Sequence, residues 1–130
     1  RSTAAALPGC ATTASYAGPV RFAHGVASGD PAADGAVIWT RVSLDGPAGD
    51  VPVRWQIASA AGGRPVRSGS ATARSAADHT VKVEVTGLQP GREYWYRFES
   101  PDGTVSPEGR FRTLPVGAAE QVVFALASCQ

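Results

Sequence analysis

From residue 20 onward, apolar and polar positions alternate in short runs, and clusters of Gly, Pro and Asp interrupt them about every ten residues. A two-residue period points successive side chains to opposite faces of a strand, so the pattern predicts an all-β sandwich or barrel. The runs span 21–27, 36–43, 53–59, 66–73, 80–86, 93–99 and 109–113, with a terminal run over 121–128. Seven strands thus precede the last, and no amphipathic helical stripe of useful length separates them. Val37 and Trp39 are expected on the core side, as are Val53, Trp55 and Ile57 in the next strand. Val81, Val83 and Val85 alternate with Lys82 and Glu84, and Tyr94, Tyr96 and Phe98 alternate with Glu93, Trp95 and Arg97. These are half-buried antiparallel strands. A dozen such side chains, each contributing about 1.5–3 kcal/mol on burial, can carry a sandwich of roughly a hundred residues.

The breaks carry turn chemistry. GDPAADG, LDGPAGD, AAGGRP, RSAAD, GLQPG and SPDGTVSP each hold residues that accept positive φ or preset a turn dihedral. In 86–96, TGLQPGREYWY, a leucine and a Pro-Gly turn lead to Tyr94 at the start of a strand. That spacing suits a tyrosine corner, with the ring buried and the hydroxyl bonded back to the connecting backbone. The segment resembles the connection between strands E and F of fibronectin type III domains. The expected fold is therefore an antiparallel fibronectin type III or immunoglobulin-like β-sandwich of about seven strands over residues 20–116. Tyr94, Trp39 and Trp55 are its structural aromatics.

Composition adds little about partners. The 130 residues are 43% hydrophobic and 18% charged with a net charge of +1, which excludes disorder and gives no reason to invoke nucleic acid or an anionic membrane. Of 12 basic residues only Lys82 is lysine, a bias that reads as GC-rich coding more than selection for anion binding. No apolar stretch is long enough to span a bilayer. Residues 1–19 are rich in Ala, Thr, Gly and Pro and read as a flexible tail, the remnant or neighbour of an export signal. Leu7, Gly9 and Cys10 hint at a lipoprotein cleavage site, against which Pro8 counts. Cys10 lies in that tail and Cys129 at the other end, so two unpaired thiols are expected and not a bridge.

Candidate chemistry is sparse. His24 is placed on the first strand and His79 in a turn, without a GxSxG elbow, a CxxC pair or HExxH spacing, so both read as ordinary structural or surface histidines. Asp30 and Asp34 in GDPAADG lack calcium-loop spacing and shape a β-turn. The glycines of HGVASGDP lack the GK[ST] ending and following helix of a phosphate loop. No catalytic residue is assigned.

Taken together, FAHGVASGDP at 22–31, AVIWTRV at 36–42, the corner over 88–98 and ASCQ at 127–130 resemble the amino-terminal part of the alkaline phosphatase D family, secreted bacterial phosphatases and phosphodiesterases. The likeness covers 20–130. It implies a non-catalytic front sandwich followed by a large metallophosphatase domain, of which 117–130 is the linker and first strand, cut short. In that family the cysteine matched by Cys129 looks like a thiolate ligand to an active-site iron, with calcium completing the centre. The resemblance thus implies metals only in the intact parent and none for this chain alone. It also implies an exported, extracellular or cell-envelope protein whose partner is the missing carboxyl-terminal domain, with phosphate esters as substrate of the parent only.

Two further readings stand beside it. Trp95, outward and next to Arg97, is a candidate interface contact, the alternative being cross-strand packing on the sheet surface. The domain itself would otherwise be an autonomous module binding carbohydrate or cell-wall polymer, which needs a row of exposed aromatics. The apolar strand 121–128, without its own sheet, should pair along the sandwich edge or stand exposed.

Overall fold

A computed structural model describes residues 18–46, 49–118 and 121–128. The strands run β1 (Val20–Arg21), β2 (Val26–Gly29), β3 (Ala36–Arg41), β4 (Ser43–Leu44), β5 (Val51–Ala58), β6 (Pro65–Ala73), β7 (Thr80–Val85), β8 (Glu93–Glu99) and β9 (Gly109–Arg112). The sole helical element among the described residues is a 3₁₀ turn at Ser75–Ala77. A three-stranded sheet of order β2-β3-β7 faces a four-stranded sheet of order β6-β5-β8-β9, with β1 and β4 as a two-residue ribbon. Every pairing is antiparallel. One apolar cluster joins the layers, Ile38, Val81 and Val85 meeting Val53, Ile57, Tyr96 and Phe98. The all-β sandwich expected from the alternation is the fold observed.

The alternation in β7 and β8 is the expected one. Val81 and Val85 are buried while Lys82 and Glu84 are exposed. Tyr94, Tyr96 and Phe98 point inward, and Trp95 and Arg97 point out. In β3 the phase is reversed. Ala36, Ile38 and Thr40 are buried, and Val37 and Trp39 lie half-buried on the outer face. The cause is the register with β7, which sets Ala36, Ile38 and Thr40 directly opposite Val85, Val83 and Val81 and so on the same face. The two small residues Ala36 and Thr40 also fit a space that the aromatics of the facing sheet already fill; an inward Trp39 would overpack it.

Two expected strands are each divided. The 21–27 run breaks into β1 and β2 around a turn in which the Gly25 amide donates to the Phe22 carbonyl (3.0 Å) and Gly25 takes φ 66°. The 36–43 run likewise breaks at Val42, whose amide donates to the His79 carbonyl (3.0 Å). The paired breaks let β1 and β4 leave the sheet together. The expected strand over 121–128 does not form: these residues have no regular structure, and Phe124 and Leu126 are 89% and 100% exposed. A strand is stable only when its backbone groups are paired and one face is covered, and neither condition is met there.

The tyrosine corner is present. The Gln89 amide donates to the Tyr94 hydroxyl (2.9 Å), and the Tyr94 ring is buried beside Phe111 at a centroid distance of 5.9 Å. Buried Thr113 secures the same turn, its hydroxyl accepting from the Arg92 amide (3.0 Å) and donating to the Gln89 carbonyl (2.7 Å). At both edges of the larger sheet an aromatic ring covers a glycine. Gly69 lies opposite Trp55 and Gly109 opposite Tyr96, and a Cβ at either glycine would strike the ring.

Asp102 ties the amino-terminal ribbon to the 100–104 turn. It accepts from the amides of Val20 (3.0 Å) and Thr104 (2.9 Å) and from the Ser100 hydroxyl. These bonds, the Ser100 hydroxyl first, hold its carboxyl well below the usual carboxylate range. A carboxylate depressed by folding contributes stability above its unfolded pKa, near 4, and that contribution is lost as pH falls through the lower folded value. Urea unfolding should therefore show stability declining below about pH 4, with a shallower decline in Asp102→Asn; an identical decline in the variant would count against the assignment. Tyr94→Phe should cost about 1 kcal/mol as a lower urea midpoint at unchanged slope, and an unchanged midpoint would show that the corner bond contributes nothing.

Candidate functional site

A constellation of charged and titratable side chains from three segments sits at the end of β3. Arg41 donates from Nη2 to Asp78 Oδ1 (2.8 Å) and from Nε to the Asp78 carbonyl (3.2 Å), and its Nη1 meets His24 Nε2 at 2.6 Å. Arginine can only donate, so His24 Nε2 accepts and its ring proton sits on Nδ1. The bond from the Arg41 guanidinium holds Asp78 below the usual carboxylate range. Asp78 and His79 both adopt left-handed backbone, φ 55° and 54°, at the end of the 3₁₀ turn. His79 Nε2 donates to the Gly49 carbonyl (3.0 Å), and the His79 amide donates to the Arg74 carbonyl (2.9 Å).

This geometry can hold loops together; it does not compose a nucleophile, a base and an orienting group. The guanidinium is bonded through all three of its nitrogens, and each histidine has a ring nitrogen engaged with a neighbouring segment. The cluster is a clamp joining the β1–β2 turn, the end of β3 and the turn before β7. His24 thus lies in a turn, not on the first strand where the sequence placed it, because the Gly25 break precedes β2. Nothing local connects His24, Arg41 and Asp78, and only the paired strands bring them together.

The remaining candidates are scattered. The GDPAADG segment is a turn: the Ala32 amide donates to the Gly35 carbonyl (2.8 Å), Leu88 donates to the Asp34 carbonyl (2.8 Å), and Asp30 takes φ 47°. Trp55 lies over Gly69, Trp39 on the outer face of the smaller sheet, and Tyr94 at its corner. Trp95 sits opposite Ala58 and Arg110 on the outer face of the larger sheet. There Arg97 donates to Gln56 Oε1 (3.1 Å), and Arg110 stands 3.8 Å from Glu93. Cys10 and Cys129 fall outside the described residues. Among the described residues no three His, Cys, Asp or Glu side chains converge on a point that could hold a metal, and no helix is long and apolar enough to cross a membrane. Hollows of about 130 and 110 Å³ beside the 30–36 turn are smaller than the several hundred Å³ typical of a small-molecule site.

One feature of that end had no signal in the sequence. After β9 the chain crosses to the opposite sheet, the Leu114 amide donating to the Ala32 carbonyl (2.9 Å) and the Leu114 carbonyl accepting from the Gly91 amide (3.0 Å). The polypeptide therefore leaves the sandwich between the 30–36 turn and the tyrosine corner.

The chain is 42% identical over 118 residues to alkaline phosphatase D of Bacillus subtilis (strain 168), an alignment covering 84% of the chain and 20% of that protein. A solved structure described as PhoD superposes with a TM-score of 0.71 at 37% identity, over 87% of this chain and 22% of the other. The chain thus spans about a fifth of the length of these relatives. The sensor domain of the anti-sigma factor RsgI4 from Pseudobacteroides cellulosolvens shares the fold alone, with a TM-score of 0.56 at 13% identity over 75% of this chain and 95% of that domain. The profile of the PhoD-like phosphatase N-terminal domain matches residues 9–115, and the chain belongs to that N-terminal domain family.

Proposed function

We propose that this sandwich is the non-catalytic front domain of an exported bacterial phosphomonoesterase or phosphodiesterase, and that its work is to position the hydrolytic domain that follows. The observation carrying the reading is the match to an N-terminal domain over most of this chain, together with an extent of about a fifth of its relatives. Export rests on the Ala- and Thr-rich composition of residues 1–19 and on the exported family it resembles.

Iron and calcium belong, in this reading, to the downstream domain, where Cys129 would contribute a thiolate and the metals would stabilise charge on the phosphoryl group during attack by an oxygen nucleophile. The described residues do not form such a centre, and none of them is assigned a step in the reaction. Their contribution is a platform in which the 30–36 turn and the tyrosine corner hold the exit of the chain, while the clamp fastens the opposite end. Trp95 with Arg97 is one candidate contact with the hydrolytic domain, although Arg97 is already bonded to Gln56 and Trp95 is flanked by Ala58 and Arg110 on its own sheet.

The carbohydrate-module reading needs a row of exposed aromatics. All three tryptophans are half-buried, and Phe124, in the irregular 121–128 segment, is the exposed aromatic among the described residues. The sandwich faces therefore lack the platform on which sugar rings stack.

The purified 130-residue chain should not turn over p-nitrophenyl phosphate or its bis-ester above the buffer blank with iron and calcium added. A chain that continues through the downstream domain should hydrolyse at least one of them. Turnover by the short chain, or none by the long one, would overturn this reading.

A further inference from the structure

The two outer faces of the sandwich differ in chemistry. The larger sheet presents Arg54, Arg97, Arg110 and Arg112 with Glu93 and Glu99 around a single half-buried tryptophan, Trp95, a mostly charged surface of the kind expected of an antiparallel sheet facing water. The smaller sheet presents Trp39 and Val37 at its centre. Across β2 their partners are Ala27 and Gly29, and charge returns on β7, with Lys82 beside Trp39 and Glu84 beside Val37, and at the end of β3 itself with Arg41. An aromatic and a valine beside a shelf of small residues leave room for an incoming surface to approach the backbone, and buried interface cores are apolar and rich in aromatics.

This face is continuous with the exit of the chain. Leu114 is anchored on Ala32, and the hollow of about 110 Å³ lined by Pro31, Ala32, Gly35, Val37 and Glu84 connects that anchor to the face. At the anchor Leu114 is 48% exposed, and beyond it Val116 and Val122 are 76% and 64% exposed. The greater part of its relatives' length lies beyond the region this chain matches. We propose that the outer face formed by Ala27, Gly29, Val37 and Trp39 is the docking seat of the hydrolytic domain downstream of the sandwich. The proposal rests on the front-domain reading and names the surface through which that role is exercised.

Hydroxyl-radical labelling of the tryptophans, read by mass spectrometry in the 130-residue chain and in the chain extended through the downstream domain, tests it. Trp39 should lose label several-fold in the extended chain while Trp95 labels equally in both. Val37→Lys should restore labelling of Trp39 in the extended chain while leaving the circular dichroism of the short chain unchanged. Equal labelling of Trp39 in the two chains would overturn the proposal. So would protection confined to Trp95, although the front-domain reading would then survive. If removing residues 1–17 from the short chain raises Trp39 labelling, the tail covers the face; if dilution raises it, a second copy does. Either result overturns the proposal. Phosphoesterase activity of the extended chain, assayed on the same preparation, reports separately on the front-domain reading.

Discussion

Thr40 is fully buried and carries a hydroxyl, and the bond from its Oγ1 to the Gly25 carbonyl (2.8 Å) is the constraint on which much of this domain depends. A buried hydroxyl without a partner costs about 1–3 kcal/mol, so the inward Thr40 that the register with β7 imposes is accommodated because the Gly25 turn presents a carbonyl to it. Once Thr40 faces inward, the two-residue period of the strand decides the rest. Ile38 and Ala36 enter the core, while Arg41, Trp39 and Val37 are turned out. A slip of one residue would bury a tryptophan and a guanidinium and expose the isoleucine. The same turn converts β1 into β2, so one local feature both ends the amino-terminal ribbon and satisfies the centre of the sheet.

The consequences extend to both ends of the sandwich. Outward Arg41 reaches His24 and Asp78 and fastens three segments at one end. At the other end Tyr94 and Thr113 close the 89–92 turn, and the chain departs from there by way of Ala32. Outward Trp39 and Val37 create the apolar surface that the charged face of the larger sheet does not offer. A clamp at one end, a corner at the other and one apolar face between them make a platform, a shape suited to holding something else in position.

Where a strand alternates valine or tyrosine with charged residues, the sequence was enough: Lys82 and Glu84 cannot be buried unpaired, so the phase of β7 is unambiguous, and Glu93 and Arg97 do the same for β8. The tyrosine corner was legible because all its parts lie within a few residues. AVIWTRV carries apolar residues in both phases, and its choice is made by β7, more than forty positions away. The clamp was invisible for a similar reason, since it joins residues 17 and 37 positions apart. The 121–128 segment stands exposed, one of the two outcomes expected of an apolar run without its own sheet: local β-preference is strong, but the sandwich supplies neither a ladder nor a cover. Membership of the family was carried by short motifs around turns, HGVASGDP among them, which this structure explains as backbone geometry and not as chemistry.

In the proposed docking, the phase of β3 turns one face of the sandwich into a joint. The most direct measurement places a photo-crosslinking amino acid at position 37 of the extended chain and maps its products by mass spectrometry. Intramolecular products should link position 37 to residues beyond 130. Products confined to residues 1–130, or formed only between separate molecules, would contradict it.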